Sequence, residues 1–221
     1  MTKNTLNAVD YRNEVLKTES KPTELNFGPA TLLMALNLAV NAATALDQVK
    51  RAIYYGRGID QQKALQALQA VQGTAQALSF PIATGRYRDP RDVDFFTQNL
   101  TPEVAEQLSG ANVDLRLLHA ALGQFTESGE FIEGVLPSLL GQPVDKVNLL
   151  EEQGDSSWYG EIALDAIGYT REQCNFTNIK KLNDKKTGRY QKGAFDPNAA
   201  VNRDVVAERA LLEEGALLEA A

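Results

Sequence analysis

The stretch RLLHAALGQFTESGEFIEGVLPSLLGQPVDKVNLLEEQGDSSWY, residues 116–159, decides how this chain folds. Apolar residues recur at three- and four-residue spacing on both sides of Gly141-Gln142-Pro143, the period of an amphipathic α-helix. Helices are therefore predicted over Asn112 to Leu136 and Val144 to Ile167. A turn this short folds the second antiparallel onto the first.

The acids in these helices are the unusual feature. Glu127, Glu130 and Glu133 stand three apart, so successive side chains lie only about 60° apart around the axis and share a face. Glu152 and Asp155 have the same spacing, and their face runs on through Tyr159, Ile162 and Ala166, which turns it inward. Glu127 shares a stripe with Ala120, Gly123 and Phe131, whose small members permit close helix approach. The hairpin thus brings two acid pairs together. On exposed faces such like-charge pairs cost only about 0.2–0.5 kcal/mol. Partly buried, each pair roughly 4 Å apart costs about 4 kcal/mol at an effective dielectric near 20, so the cluster calls for a cation. Ligands that are all carboxylate select hard ions, Mg²⁺ first and Mn²⁺ second. The alternative is two solvated acidic stripes.

Outside this hairpin the pattern stays helical, and no period-two run is long enough for a convincing strand. Further helices are predicted over Val9 to Thr18, Pro29 to Tyr55, Asp60 to Leu78, Arg91 to Gln98, Pro102 to Ser109, Arg171 to Asp184 and Pro197 to Glu214, with Gly- and Pro-bearing turns between them. The fold class is all-α, a helical bundle.

A shift of 85 residues lays 31–70 on 116–155 without a gap, and both copies read helix, Gly-containing turn, Asp, helix. Leu32/Leu117, Leu33/Leu118, Ala35/Ala120, Gly56/Gly141, Asp60/Asp145 and Leu65/Leu150 are identical pairs. In this register Glu127, Glu130, Glu152 and Asp155 fall on Ala42, Ala45, Ala67 and Ala70. The organisation expected is an N-terminal helix and arm (1–30), a degenerate copy without metal ligands (31–110) and a metal-binding unit (111–221). The four alanines should pack tightly where the acids leave a wet cavity.

Bulk properties bound the function. The 221 residues, 43% hydrophobic and 23% charged, suffice for the core of one large or two small domains. A net charge of −7 and a pI near 4.9 argue against a duplex nucleic-acid binder. The lone Cys174 excludes an intrachain disulfide and is expected to be a small buried side chain. The N-terminal residues lack a signal peptide's apolar core, and the run TLLMALNLAVNAATAL, broken by Asn37 and Asn41, falls short of about 20 apolar residues. A cytoplasmic protein is expected, without membrane or nucleic-acid partners. His119 is expected to be structural, and Trp158 to lie in the core, with stacking on a base as the alternative.

The order of motifs is similar to that of the MazG-like all-α nucleoside triphosphate pyrophosphohydrolases. ESGE at 127–130, EEQGDSSWY at 151–159, N-x-x-K-L at 178–182 with Arg189-Tyr190 following, and Asn202-Arg203-Asp204 carry the resemblance, with a weaker echo in DYRNEVLKTE at 10–19. The resemblance implies that Glu127, Glu130, Glu152 and Asp155 hold Mg²⁺ and form the catalytic centre, and that Asn178, Lys181, Arg189 and Tyr190 contact the nucleotide. It further implies hydrolysis of a nucleoside or deoxynucleoside triphosphate to the monophosphate and pyrophosphate, in nucleotide-pool control of a bacterial or phage setting, by a homodimer forming a pseudo-tetrameric bundle. The basic segment Lys180, Lys181, Lys185, Lys186, Arg189 and Lys192 suits phosphates. The competing function is a non-catalytic nucleotide- or metal-binding helical protein.

Overall fold

The structure, a computed structural model, describes residues 7–21, 23–89, 91–92, 100–109, 112–185, 188–191 and 194–217. Among them the fold is all-α, as the periodicity requires. The helices are α1 (Ala8–Thr18), α2 (Pro29–Tyr55), α3 (Gln61–Ala83), α4 (Pro102–Ser109), α5 (Leu115–Leu139), α6 (Lys146–Ala166), α7 (Arg171–Leu182), α8 (Pro197–Val201) and α9 (Val205–Leu217). A 3₁₀ turn spans Arg86–Arg88. The sequence showed no strand, yet β1 (Tyr190–Gln191) and β2 (Ala194–Phe195) pair antiparallel, Tyr190 opposite Phe195. Two residues per strand are too few to leave a periodic signal.

The helix ends follow local chemistry. Asp114 caps α5 by accepting from the Arg116 and Leu117 amides, and Asp145 caps α6 through Val147 and Asn148. Each cap stabilises its helix by about 1 kcal/mol. Both helices therefore start a few residues after the apolar pattern does. At the other end α5 passes Leu136 to Leu139, and α3 passes Leu78 to Ala83, each with a proline in its final turns, Pro137 and Pro81. There the ring forfeits one backbone bond without ending the helix. The helix expected over Pro197 to Glu214 is broken. Asn202 ends α8, and Asp204 restarts the chain by accepting from the Ala207 amide while Arg203 turns to Glu208. The helix expected over 91–98 falls largely on 93–99, outside the described residues, and Arg91 and Asp92 lie in a turn.

The chain divides into two compact units, one spanning Glu24–Val113, the other comprising α1 and the residues from Asp114 onward. In the first, α2 and α3 form a hairpin closed by Ala30, Met34 and Leu78. A buried carboxylate holds its start: Asp92 accepts from the amides of Ala30 and Thr31 and from the Thr31 hydroxyl, at 3.0, 2.7 and 2.6 Å. Gly28 lies so close to Asp92 that a Cβ there would sit 2.1 Å from its carboxylate. With 27 residues and a mean hydropathy of 1.4 in its best window, α2 is long and apolar enough to cross a membrane, a property hidden in the sequence by the shorter apolar run.

In the second unit α5 and α6 form the corresponding hairpin and α1 covers it. Ile162, Ala120 and Val15 are buried together, with Tyr11 and Trp158 packed on them. An ion network ties the three helices. Arg116 donates to both oxygens of the buried Glu19, at 2.6 and 2.8 Å, and to Asp165, at 2.8 Å; Arg12 holds the other Asp165 oxygen at 2.7 Å. Under the 85-residue shift, 29–55 and 61–83 become 114–140 and 146–168, against helices 115–139 and 146–166. Gly56 and Gly141 both have positive φ, 61° and 71°, and Asp60 and Asp145 both cap the returning helix.

Candidate metal centre

The hairpin positions the acids as their spacing demands. Glu127 on α5 and Glu152 and Asp155 on α6 each present a carboxylate oxygen, and the three oxygens lie within 4.8 Å of one another. Among the described residues no other group of three His, Cys, Asp or Glu side chains gathers in this way. Close helix approach makes it possible. Gly123 abuts the Tyr159 ring, where a Cβ would come within 2.2 Å of ring carbons, and Gly134 abuts Leu149. Glu152 is buried, Glu127 half-buried and Asp155 exposed. A cleft of about 280 Å³, bordered by Glu127, Phe131, Glu152 and Ser156, opens onto the cluster.

Burial and mutual repulsion raise two of these carboxyls. Desolvation, and then the charges of Glu130 and Asp155, hold the Glu127 carboxyl above the ordinary glutamate range. Glu152 is raised by desolvation and then by Glu130 and Glu127. The donor set is all oxygen and anionic, which fits Mg²⁺ or Mn²⁺. The hydroxyls of Tyr159 and Tyr11 are both raised, Tyr159 by burial and then Glu127, Tyr11 by burial and then Glu161. Tyr11 OH donates to the Gly154 carbonyl at 3.4 Å, bringing α1 to the rim of the site. The sequence held a signal for Tyr159, at i+4 from Asp155, and none for Tyr11 beyond its place in the 10–19 echo.

The fourth acid stands apart. Glu130 is exposed and contributes no oxygen to the three-membered cluster, although its charge acts on Glu127 and Glu152. With Glu133, Asn148 and Glu152 it lines a neighbouring cleft of about 610 Å³.

The expected nucleotide contacts lie elsewhere. Asn178 and Lys181, on α7, line a cavity with α9 that shares no lining residue with either acidic cleft. Arg189 Nη2 lies 3.9 Å from Glu208, a buried carboxylate that Arg203 grips through Nε at 3.0 and 3.1 Å and through Nη2. Arg203 first, then Arg189 and Lys181, hold Glu208 below the ordinary range. Tyr190 packs edge-on against Phe195, 5.8 Å between centroids. Lys180 pairs with Glu214 at 3.3 Å, while Lys186 and Lys192 lie outside the described residues. The basic segment is thus partly spent on internal carboxylates. Cys174, expected to be buried, is exposed, because α7 turns that face toward the cavity. His119 and Trp158 are structural: His119 meets both Trp158 and Tyr159 edge-on, and Trp158 donates to Thr18 Oγ1 at 3.1 Å.

The four alanines of the first unit hold no acid. Ala67 is buried, but Ala70 borders a cleft of about 590 Å³ beside Leu33, Met34 and Leu100, so the tight closure expected there is incomplete.

The chain matches no protein-family model, no characterised protein and no solved structure. The resemblance to the MazG-like enzymes therefore rests on the motifs alone.

Proposed function

We propose that this protein is a Mg²⁺-dependent nucleoside triphosphate pyrophosphohydrolase, releasing a nucleoside monophosphate and pyrophosphate. One observation carries the reading: three carboxylate oxygens from two packed helices converge within 4.8 Å at the mouth of a cleft. Glu127, Glu152 and Asp155 would hold the metal, with Glu130 beside them. When bound, the ion neutralises the acids and the incoming triphosphate and lowers the pKa of a coordinated water. The chain's own residues fix the geometry. Gly123 lets Tyr159 wedge between the helices behind the acids, and Phe131 and Ile132 make the cleft wall apolar, which strengthens the acids' field.

Residues 31–110 are, on this reading, a degenerate copy. The matching helix bounds, the paired Gly turns and Asp caps, and alanine at all four ligand positions support it. Self-association fits a stripe on α5. Leu118, Leu122, Phe125, Gly129, Ile132, Leu136 and Leu139 follow the 4-3 spacing of a coiled-coil seam, and Leu122, Phe125, Ile132, Leu136 and Leu139 are exposed. The second reading, a nucleotide- or metal-binding protein without catalysis, is favoured by one fact: Asn178 and Lys181 line a cavity separate from the acids.

The two readings separate on incubating the protein with ribo- and deoxyribonucleoside triphosphates and guanosine tetraphosphate, with Mg²⁺ and without, and resolving products by anion exchange. Pyrophosphate formed only with Mg²⁺ is the expected outcome. No turnover of any substrate would leave the binding reading, and inorganic phosphate as first product would overturn the reaction.

A further inference from the structure

The first unit holds an open cavity of about 590 Å³ against its α2–α3 hairpin, with Leu33 and Met34 on one wall and Leu100 and Val104 on another. A volume of this size holds a small molecule. The cavity shares no lining residue with the acidic clefts of the second unit. Its lining also decides what kind of molecule it suits. Among the described residues that border it none is charged, and its polar members are Asn37, Thr74 and Thr101. A phosphate, a carboxylate or a metal ion would give up hydration there and find no counter-charge. That leaves neutral ligands.

The other hairpin indicates the ligand's shape. Under the 85-residue shift the lining residues Met34, Gly73 and Thr74 fall on His119, Trp158 and Tyr159. Those three rings pack edge-on against one another, with centroids 6.0, 5.3 and 4.9 Å apart. Two of the three differences are offset. Met34 is about as large as His119, and Leu38, which packs on the α2–α3 core, stands where Gly123 makes room for the Tyr159 ring. The indole has no such replacement. Gly73 lies in the middle of α3, and a Cβ there would meet nothing within 4 Å, so close approach of another helix does not account for it. In a helix interior glycine costs about 1 kcal/mol relative to alanine. Where the second hairpin carries an indole, the first has a glycine and an open cleft.

We propose that this cavity binds an uncharged aromatic molecule of about the size of indole, its ring lying against Gly73 between the apolar walls. Asn37, Thr74 and Thr101 are neutral acceptors for a ring N–H, as the Thr18 hydroxyl is for Trp158. Binding needs no divalent ion and no acid of the α5–α6 cluster. The choice of a ring rests on reading residues 31–110 as a degenerate copy; the cavity and its neutral lining do not.

The test is calorimetric titration of the full chain with indole in EDTA, which keeps metal-dependent chemistry out of the readout. Indole should bind saturably, one per chain, and cyclohexanol and indole-3-acetate should each bind at least tenfold more weakly. Gly73→Trp should put the ring back and abolish binding. Ala70→Asp places a charge on the wall and should weaken it tenfold or more, while Glu127→Gln should leave it unchanged. Ala70 is only half-buried, so Ala70→Asp reports on the site even where the bulk of Gly73→Trp disturbs the fold. Four results overturn the proposal: no saturable binding, as when a second copy of the chain covers the cleft; indole-3-acetate binding as tightly as indole; a folded Gly73→Trp that still binds; or Glu127→Gln weakening indole as much as Ala70→Asp, which would move the ligand to the acidic cleft. Saturable indole binding together with a Gly73→Trp variant that melts well below the parent would sink the degenerate-copy reading and leave the site standing.

Discussion

At Glu127 and Glu152 burial and like charge act in the same direction. Both are held above the ordinary glutamate range, by desolvation first and neighbouring carboxylates second. A carboxyl with a raised folded pKa binds its proton more tightly in the folded state than in the unfolded one. The stability it contributes is present below the unfolded value, about 4.3, and is lost as pH rises through the folded pKa values. In EDTA the melting temperature should therefore be lower at about pH 8 than at about pH 5, and Glu152→Gln should flatten that difference. Mg²⁺ at a hundredfold excess over its Kd should add about 2.7 kcal/mol at the upper pH and almost nothing to Glu152→Gln. Scanning calorimetry at both pH values checks both statements, and an equal Mg²⁺ response in the variant would remove Glu152 from the ligand set. Asp165 and Glu208 titrate with the opposite sign. Arg116 first, then Arg12, holds Asp165 low, and Arg203 first, then Arg189, holds Glu208 low. Their contribution is present above about pH 4 and is lost as pH falls through their depressed values.

Among the elements, α1 depends on charge as much as on its apolar residues. Val15 joins Ala120 and Ile162 in the core, yet the link that orients α1 is Arg116, forked between the fully buried Glu19 carboxylate and Asp165. Arg116→Met keeps most of the side chain's volume but leaves the buried Glu19 carboxylate to the exposed Lys21 at 3.7 Å, a loss of up to about 3–5 kcal/mol. Urea unfolding should show that loss, and Glu19→Gln in the Arg116→Met background should restore much of it. If both variants are within 0.5 kcal/mol of the parent, roughly the scatter of surface substitutions, the network does not hold α1. The same dependence on a distant partner governs α2, whose start is fixed by Asp92 some 60 residues along the chain. By contrast α3, α5, α6 and α7 carry their own caps, Asp60, Asp114, Asp145 and Thr170.

For the whole molecule, the issue is what covers the α5–α6 hairpin. Leu139, Leu140, Val147 and Leu150 are 80%, 78%, 75% and 73% exposed, a concentration of bare apolar surface at the hairpin's turn. A second copy laid along the α5 seam would cover it, and a stable interface needs roughly 800 Å² from each partner. Sedimentation should give a dimer at micromolar concentration, and the pair Leu139→Glu with Leu150→Glu should give a monomer with the helical content unchanged. A monomeric parent chain would refute self-association through this face.

The sequence by itself determined the helices and the convergence of Glu127, Glu152 and Asp155. Both follow from a 3.6-residue period and a short turn, which are local properties, and the caps at Asp114 and Asp145 stand within a few residues of the helices they start. Tertiary structure alone decided which charges meet. Glu130 has the same spacing signal as Glu127 and still contributes no oxygen to the three-acid cluster, because a helix face is wider than the contact line between two helices. Lys181 and Arg189 read as free cations, but Glu208 on a later helix claims their field. Asp92 reads as an acid at the start of the helix expected over 91–98 until α2 arrives to be capped by it. In each case the partner lies far away along the chain, and only packing sets the distance on which Coulomb energy and hydrogen bonding depend.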